Sequence, residues 1–370
     1  MLIALSLLPG LALCQIDEAG LEAIEPNAIT QREGDGRLWV DALSIGLEGQ
    51  GFTDLAHPYD RLPADAEGVV RDPVWGLSHD SAGLAVRFWS DATAISARWT
   101  LRRASLEMPH MPATGVSGLD LYVRGDEGWR WIGAGRPSGV ESEGVLADGI
   151  APGLHEYLLY LPLYNGVDQV LIGLSPEARI LRAAAVKGRP VVFYGTSITQ
   201  GGCASRPGMA YAAIIGRWLD LPTVNLGFSG NGQMEPEMGE RIARVDASAF
   251  VLDCLPNMSP DMVTERVPSV VRTLRAAHPG TPILLVECIT YQHSPLLGSW
   301  AALAPAFNEA LRGAYEELLA EGVAGLWYVE GEDLLGSDGE ATVDGVHPTD
   351  LGFLRMSEVI APVLREALGL

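Results

Sequence analysis

The chain has 370 residues, 48% of them hydrophobic and 19% charged, which is enough for two domains with separate cores at roughly 150 residues each and excludes a peptide hormone, a disulfide-stapled miniprotein and a mostly disordered chain. Its 25 Lys and Arg against 47 Asp and Glu give a formal charge of −22, which repels phosphate backbones and anionic lipid surfaces and excludes nucleic acid as a partner. Lys187 is the one lysine and arginine supplies the remaining cations, a bias that names no function.

Residues 1–15, MLIALSLLPGLALCQ, carry no charge and open with an apolar run about as long as the core of an export leader, too short to span a bilayer. A signal peptide over 1–15 and export to the periplasm or the extracellular space are expected, although the pattern lacks a Lys/Arg n-region. Cys14 follows Leu-Ala-Leu, where leucine stands in place of the small residue of a lipoprotein cleavage site, so lipid anchoring is the weaker reading. Cys203, Cys254 and Cys288 are odd in number without CxxC spacing, which points away from a disulfide framework or a zinc site and leaves at least one thiol free. Past the leader no segment approaches ~18 consecutive apolar residues.

From about 35 to 180 the apolar residues alternate in short runs, GLAVRFWS, ATAISARWTL, LDLYVR, WRWIGAG, HEYLLYLPL and QVLIGL, separated by Gly, Asp and Pro. This period of two with no convincing helix between runs predicts a β-sandwich, jelly-roll-like, over 16–186. Gly-Asp-Glu-Gly at 125–128 reads as a four-residue hairpin connection. The aromatics Trp129 and Trp131 alternate with arginine, by default as a core-facing pair and less readily as a sugar-stacking surface.

The pattern changes near Ala183–Arg189. The runs PVVFYG, TVNLGF, AFVLDCL, PILLVEC and GLWYV then alternate with helical stretches near 209–220, 260–278, 300–321 and 350–368. That grammar predicts a parallel sheet covered by helices on both faces, an α/β domain over 187–370 with a three-layer α/β/α architecture. No Ser/Gly/Pro-rich spacer joins the halves, so they are expected to pack firmly on each other. Functional residues of such sheets collect at the carboxyl ends of the strands.

Four segments lie at those ends. VVFYGTSITQGG puts Ser197 in a turn after the first run, where a hydroxyl can face solvent as a nucleophile or serve merely as a turn residue. NLGFSGNG offers the Gly230 N–H to a developing oxyanion, or is a plain tight turn. CLPNM offers the Asn257 amide as a second donor, or a helix cap. DGVHPTD places Asp344 three residues before His347, a spacing at which the carboxylate can orient one imidazole nitrogen while the other faces the serine.

Together these segments resemble the SGNH hydrolases, also called GDSL-type esterases: nucleophile Ser, oxyanion Gly, oxyanion Asn and terminal Asp-x-x-His in that chain order, over residues 188 to 370. Thr196 stands where the family name implies aspartate. Upstream, Gly118-Leu119-Asp120-Leu121-Tyr122 looks like the GxDLY domain that precedes one branch of these esterases, so the resemblance extends across nearly the whole mature chain.

The resemblance implies a serine ester hydrolase with triad Ser197, Asp344 and His347, and an oxyanion hole of the Ser197 and Gly230 N–H groups and the Asn257 amide, working through an acyl-enzyme without metal or organic cofactor. A carbohydrate acetylesterase is the expected activity. A lipase or lysophospholipase is the alternative, and a glycan-binding protein with an inactive scaffold is the rival class. The expected partner is a small-molecule or glycan ester. Asn231, Arg206 and His293 are candidate substrate contacts. The Asp-rich GSDGEATVDG lacks the alternating ligands of a calcium loop, and His110 in EMPHMPATG reads as a surface-loop histidine rather than one reaching the site.

Overall fold

The computed structural model describes residues 21–24, 29–32, 36–184, 186, 188–292 and 297–370. The expected leader with Cys14, and His293, lie outside them.

Among the described residues, the N-terminal half contains two antiparallel sheets. The first runs in the order β1 (Glu22–Ala23), β12 (Ile180–Arg182), β5 (Ala85–Ser90), β10 (His155–Tyr160), β7 (Leu119–Gly125), β8 (Gly128–Gly135), with β4 (Leu47–Glu48) also paired to β5. The second runs β2 (Ile29–Arg32), β3 (Leu38–Asp41), β11 (Val167–Leu174), β6 (Ala94–Leu101), β9 (Glu141–Asp148). Alternation decides what each face does. Val86 and Phe88 of β5, Leu121 of β7 and Leu159 of β10 meet Ile95, Ala97 and Trp99 of β6 and Ile172 of β11 in the sandwich core. Their neighbours Ala85, Tyr122, Leu158 and Tyr160 point the opposite way and are buried too, in a cluster completed by Ala213 of the catalytic half. One sheet is therefore apolar on both faces, with the helix Tyr211–Leu219 covering the outer one; the Arg217 guanidinium of that helix lies 4.1 Å from the Tyr122 ring centroid.

The connection between β7 and β8 differs from the sequence reading. Gly125 and Gly128 pair with each other as strand residues, so the turn itself is only Asp126 and Glu127. A short helix, Asp72–Ser78, also interrupts the strand region. Its seven residues hold too few turns to show helical periodicity, and proline in its first turn was the one available signal.

The C-terminal half holds a five-stranded parallel sheet, β14 (Thr223–Gly227), β13 (Val191–Gly195), β15 (Ala249–Asp253), β16 (Ile283–Val286), β17 (Leu326–Val329), in that order. Every residue of β13 and β15 is buried, as expected where helices cover both faces. The helices Tyr211–Leu219, Pro260–Ala277, Leu303–Ala320 and Asp350–Leu368 occupy the predicted stretches, and Pro236–Ile242 is a further, shorter one. The strand order reverses at β13, whose neighbours are the next strand on one side and the one after it on the other. The crevice outside the carboxyl ends of β14, β13 and β15 is thus the switch point where such sheets bind ligands.

Candidate active site

Ser197 is the first residue of a one-turn helix, Ser197–Gln200, that follows β13 directly. Thr196 caps it, its hydroxyl oxygen accepting from the Ile198 N–H at 3.2 Å. Threonine and aspartate both cap helix N-termini, so Gly-Thr-Ser preserves the local geometry that Gly-Asp-Ser would set.

Ser197 Oγ lies 2.9 Å from His347 Nε2, and His347 Nδ1 lies 2.7 Å from Asp344 Oδ2. The other Asp344 oxygen accepts from the backbone N–H groups of His347 at 2.8 Å and Val346 at 3.0 Å. Partial burial would raise the Asp344 carboxyl, but these N–H groups and the imidazole outweigh it and hold it below its ordinary range. Two further bonds clamp this loop to the segment after Ser197: the Cys203 N–H donates to the Pro348 carbonyl at 3.1 Å, and the Ser205 N–H to Asp350 Oδ1 at 2.8 Å.

Gly230 follows β14 at φ +70°, a conformation that favours glycine, and a side chain there would meet open space. Asn257 ends a 3₁₀ turn after β15, and its Oδ1 accepts from the Gly232 N–H at 3.2 Å, which settles that the amide nitrogen is the end left to donate elsewhere. Beneath the Ser197 helix, Asp253 ends β15 almost fully buried and accepts from the hydroxyls of Tyr211 at 3.0 Å and Thr199 at 3.3 Å. Burial pushes its carboxyl up to about 6 against the pull of those two bonds.

The family model of GDSL-like lipases and acylhydrolases matches residues 188–365, and that of the N-terminal GxDLY domain of SGNH-hydrolase-type esterases matches 38–180. A crystal structure from Bacteroides ovatus, described as a GDSL-like lipase, is 37% identical, has a TM-score of 0.86, and covers 90% of this chain and 98% of its own. The chain belongs to the GDSL-like lipase/acylhydrolase family.

Salicylyl-acyltransferase SsfX3 of a tetracycline biosynthetic pathway shares the fold of this hydrolase at 18% identity, with TM-score 0.68 over 95% of this chain and 98% of the transferase. A family two carbohydrate esterase from Clostridium thermocellum, solved in complex with cellohexaose, does so at 15% identity, with TM-score 0.57 over 78% and 93% of the two chains. No curated protein matches the chain.

In this GDSL-like hydrolase the sandwich domain reaches the site. The Tyr164 hydroxyl donates to the Ser197 carbonyl at 3.0 Å. Leu77, Met108, Val116 and Tyr164 from the sandwich half face Ser229 and Asn231 across a cleft of about 650 Å³. His110, which the sequence reading leaves on a surface loop, is indeed exposed, but its ring centroid stands 5.7 Å from that of His347 in an edge-on arrangement. Donor atoms of His110, Asp344 and His347 fall within 4.8 Å of one another. A transition metal could join them only by drawing His347 away from the serine or the aspartate it bonds.

Two of the expected substrate contacts are already committed elsewhere. Arg206 is paired with buried Asp120 at 2.8 Å, bonds the Tyr122 hydroxyl and lies over the Trp131 ring, so it fastens the domains together. Asn231 Oδ1 accepts from Arg71 at 2.7 Å while its amide nitrogen donates to the Ser229 carbonyl at 2.8 Å. The tryptophans divide: Trp129 lies between Arg87 and Arg124, whereas Trp131 is exposed and its indole N–H donates to Asp120 at 2.8 Å. The acidic loop is ordered by Arg355, which grips both oxygens of Asp338. Cys203, Cys254 and Cys288 are free and buried; burial, with a smaller contribution from Asp344, pushes the Cys203 thiol to about 12, so it stays protonated and unreactive at neutral pH.

Proposed function

We propose that the protein is a serine esterase that removes acetyl or similarly short acyl groups from carbohydrate. The observation that carries the chemistry is the continuous chain from Ser197 Oγ through His347 to Asp344, with bonds of 2.9 and 2.7 Å. In this reading His347 Nε2 takes the hydroxyl proton as Ser197 attacks the ester carbonyl, and Asp344 holds the imidazole and stabilises its cationic form. The Ser197 and Gly230 N–H groups and the Asn257 amide receive the oxyanion. Collapse of the tetrahedral intermediate breaks the bond to the alcohol oxygen, which takes the proton back from His347. Water then attacks the acyl-serine by the same steps, releasing the carboxylic acid and restoring the hydroxyl.

The short-acyl preference is supported by the small, polar segment after Ser197, QGGCASRPG, and by a charge of −22 that disfavours an anionic lipid surface. The cleft beside the oxyanion turn pairs apolar Leu77 and Met108 with polar Arg103, Ser105 and Glu107, a mixture suited to the CH faces and hydroxyls of a sugar. The shared fold with carbohydrate esterases of family two agrees with this. The apolar leader at 1–15 makes export part of the proposal. A series of 4-nitrophenyl esters from two to twelve carbons tests the acyl preference, with kcat/KM expected to be greatest for acetate. A rise past about six carbons would replace it with the lipase alternative. Acetate release from a panel of acetylated polysaccharides identifies the alcohol.

A further inference from the structure

In the proposed mechanism the turn after β14 must present the Gly230 N–H at a fixed point; the Asn231 N–H closes it on the Phe228 carbonyl at 2.8 Å, and further groups that grip its flanks come from the other domain. Arg61 is almost fully buried, and its guanidinium donates to the carbonyls of Asn225 at 3.1 Å and Gly227 at 2.8 Å, the last turns of the strand entering the turn. It also lies over the Phe228 ring at 4.9 Å. Asp80, equally buried, accepts from Gln200 Nε2 at 2.9 Å, and Gln200 Oε1 in turn accepts from the Ser229 N–H at 2.9 Å. Arg71 donates to the Asn231 side chain at 2.7 Å and to its backbone carbonyl at 2.9 Å, and is anchored by Glu235. Residues 225 to 231 are thus gripped before, at and after Ser229–Gly230 by three sandwich-domain side chains, one acting through the Gln200 that ends the nucleophile helix.

The close fit leaves no slack. A side chain at Gly227 would meet the Gln200 nitrogen at 2.1 Å, so the strand end and the nucleophile helix are in direct backbone contact, and a shift of either moves the other. Gly230 itself is exposed with open space beside it, so its place is set by the hydrogen bonds of the turn and its flanks rather than by packing on Gly230.

We propose that the sandwich domain is a positioning device for the oxyanion hole, with Arg61, Arg71 and Asp80 setting where the Gly230 N–H points. This rests on the esterase reading above and adds a role for the N-terminal domain that does not involve carrying the enzyme to a polymer. None of the three touches the reacting atoms in this scheme; they are positioning residues. Misplacing a catalytic donor by about 1 Å costs on the order of 10²-fold in rate.

Arg71→Met is the variant of choice, because that side chain is 37% exposed whereas Arg61 and Asp80 are almost fully buried. For 4-nitrophenyl acetate kcat is expected to fall about tenfold to 10²-fold with KM within about twofold, and Arg71→Lys is expected to recover part of it. Backbone amide exchange over residues 228–234 should accelerate about tenfold while the parallel strands keep their protection. Unchanged exchange in that segment would overturn the proposal whatever the kinetics, as would a KM rise at constant kcat. Absence of esterase activity in the wild-type enzyme would instead overturn the functional reading, and the exchange experiment would still decide the positioning role.

Discussion

The loop carrying His347 bonds Ser197 and the turn carrying Gly230 bonds Gln200 at the other end of the same short helix, but the two are stabilised by different means. In the first, Asp344 orders its own loop through the backbone N–H groups of Val346 and His347 and through the imidazole, all within three residues. In the second, the Asn231 N–H closes the turn on the Phe228 carbonyl at 2.8 Å, but the side chains that grip its flanks lie far away in sequence: Arg61 is 164 residues from Asn225, and Arg71 is 160 from Asn231. Contacts of short separation cost little chain entropy and survive local excursions. Contacts of long separation exist only once both domains have folded and docked. The Asp344–His347 geometry is therefore set within a short peptide segment that longer-range bonds then clamp, whereas the flanks of the Gly230 turn are gripped from both halves of the molecule.

The comparison can be broken most sharply at the serine. Ser197→Ala should fold normally and lose ester hydrolysis by a factor on the order of 10³ or more, measured as kcat with 4-nitrophenyl acetate; near-wild-type turnover would remove Ser197 from the reaction. Asn257→Ala separates the oxyanion side from the base side. Its loss should cost roughly 2.7–4 kcal/mol in the transition state, seen in kcat, and an effect confined to KM would make Asn257 a binding residue.

Asp253 probes the floor beneath the nucleophile helix. Its carboxyl is raised to about 6 from 3.8, so the folded state binds a proton more tightly than the unfolded chain does. The wild type is then destabilised as pH rises from about 4 through 6, by on the order of 3 kcal/mol. Asp253→Asn has no such dependence, and between pH 4 and pH 8 it should gain on wild type by that amount in urea unfolding. Parallel stability profiles would show that Asp253 ionises normally. The smallest catalytic effect is expected at Arg206. Arg206→Met leaves the buried Asp120 carboxylate with the Gly208 and Trp131 N–H donors, so stability should fall by about 3 kcal/mol while KM is unchanged. A KM change of tenfold or more would return Arg206 to the substrate site.

Much of the fold is legible from one-dimensional patterns. Alternation exposes the sandwich strands, and buried runs such as VVFYG and AFVLD mark the central parallel strands, because a strand covered on both faces has no polar side to display. The Asp344–His347 pair is legible for the same reason that it is stable: its geometry is set by a spacing of three. Arg206 reads as a polar residue in an active-site loop, and nothing near it in the chain shows that Asp120 will claim it. His110 is the reverse case, an ordinary surface-loop histidine by its neighbours that the fold carries to within 5.7 Å of the His347 ring. Gln200 sits in plain view in TSITQGG, but its side-chain partners, Asp80 and Leu163 on one side and Ser229 on the other, come from different domains.

Local order alone determines which residues can be nucleophile, base and oxyanion donors, since each stands in a short segment whose turn or strand end is dictated by its own neighbours. Which polar side chains reach substrate, and which are consumed in holding the turn, is decided only by docking the sandwich on the parallel sheet. The physical reason is burial: Arg61, Asp80 and Asp120 are buried and each bonds a group of the other half, and a buried charge must take whatever partner the packing presents.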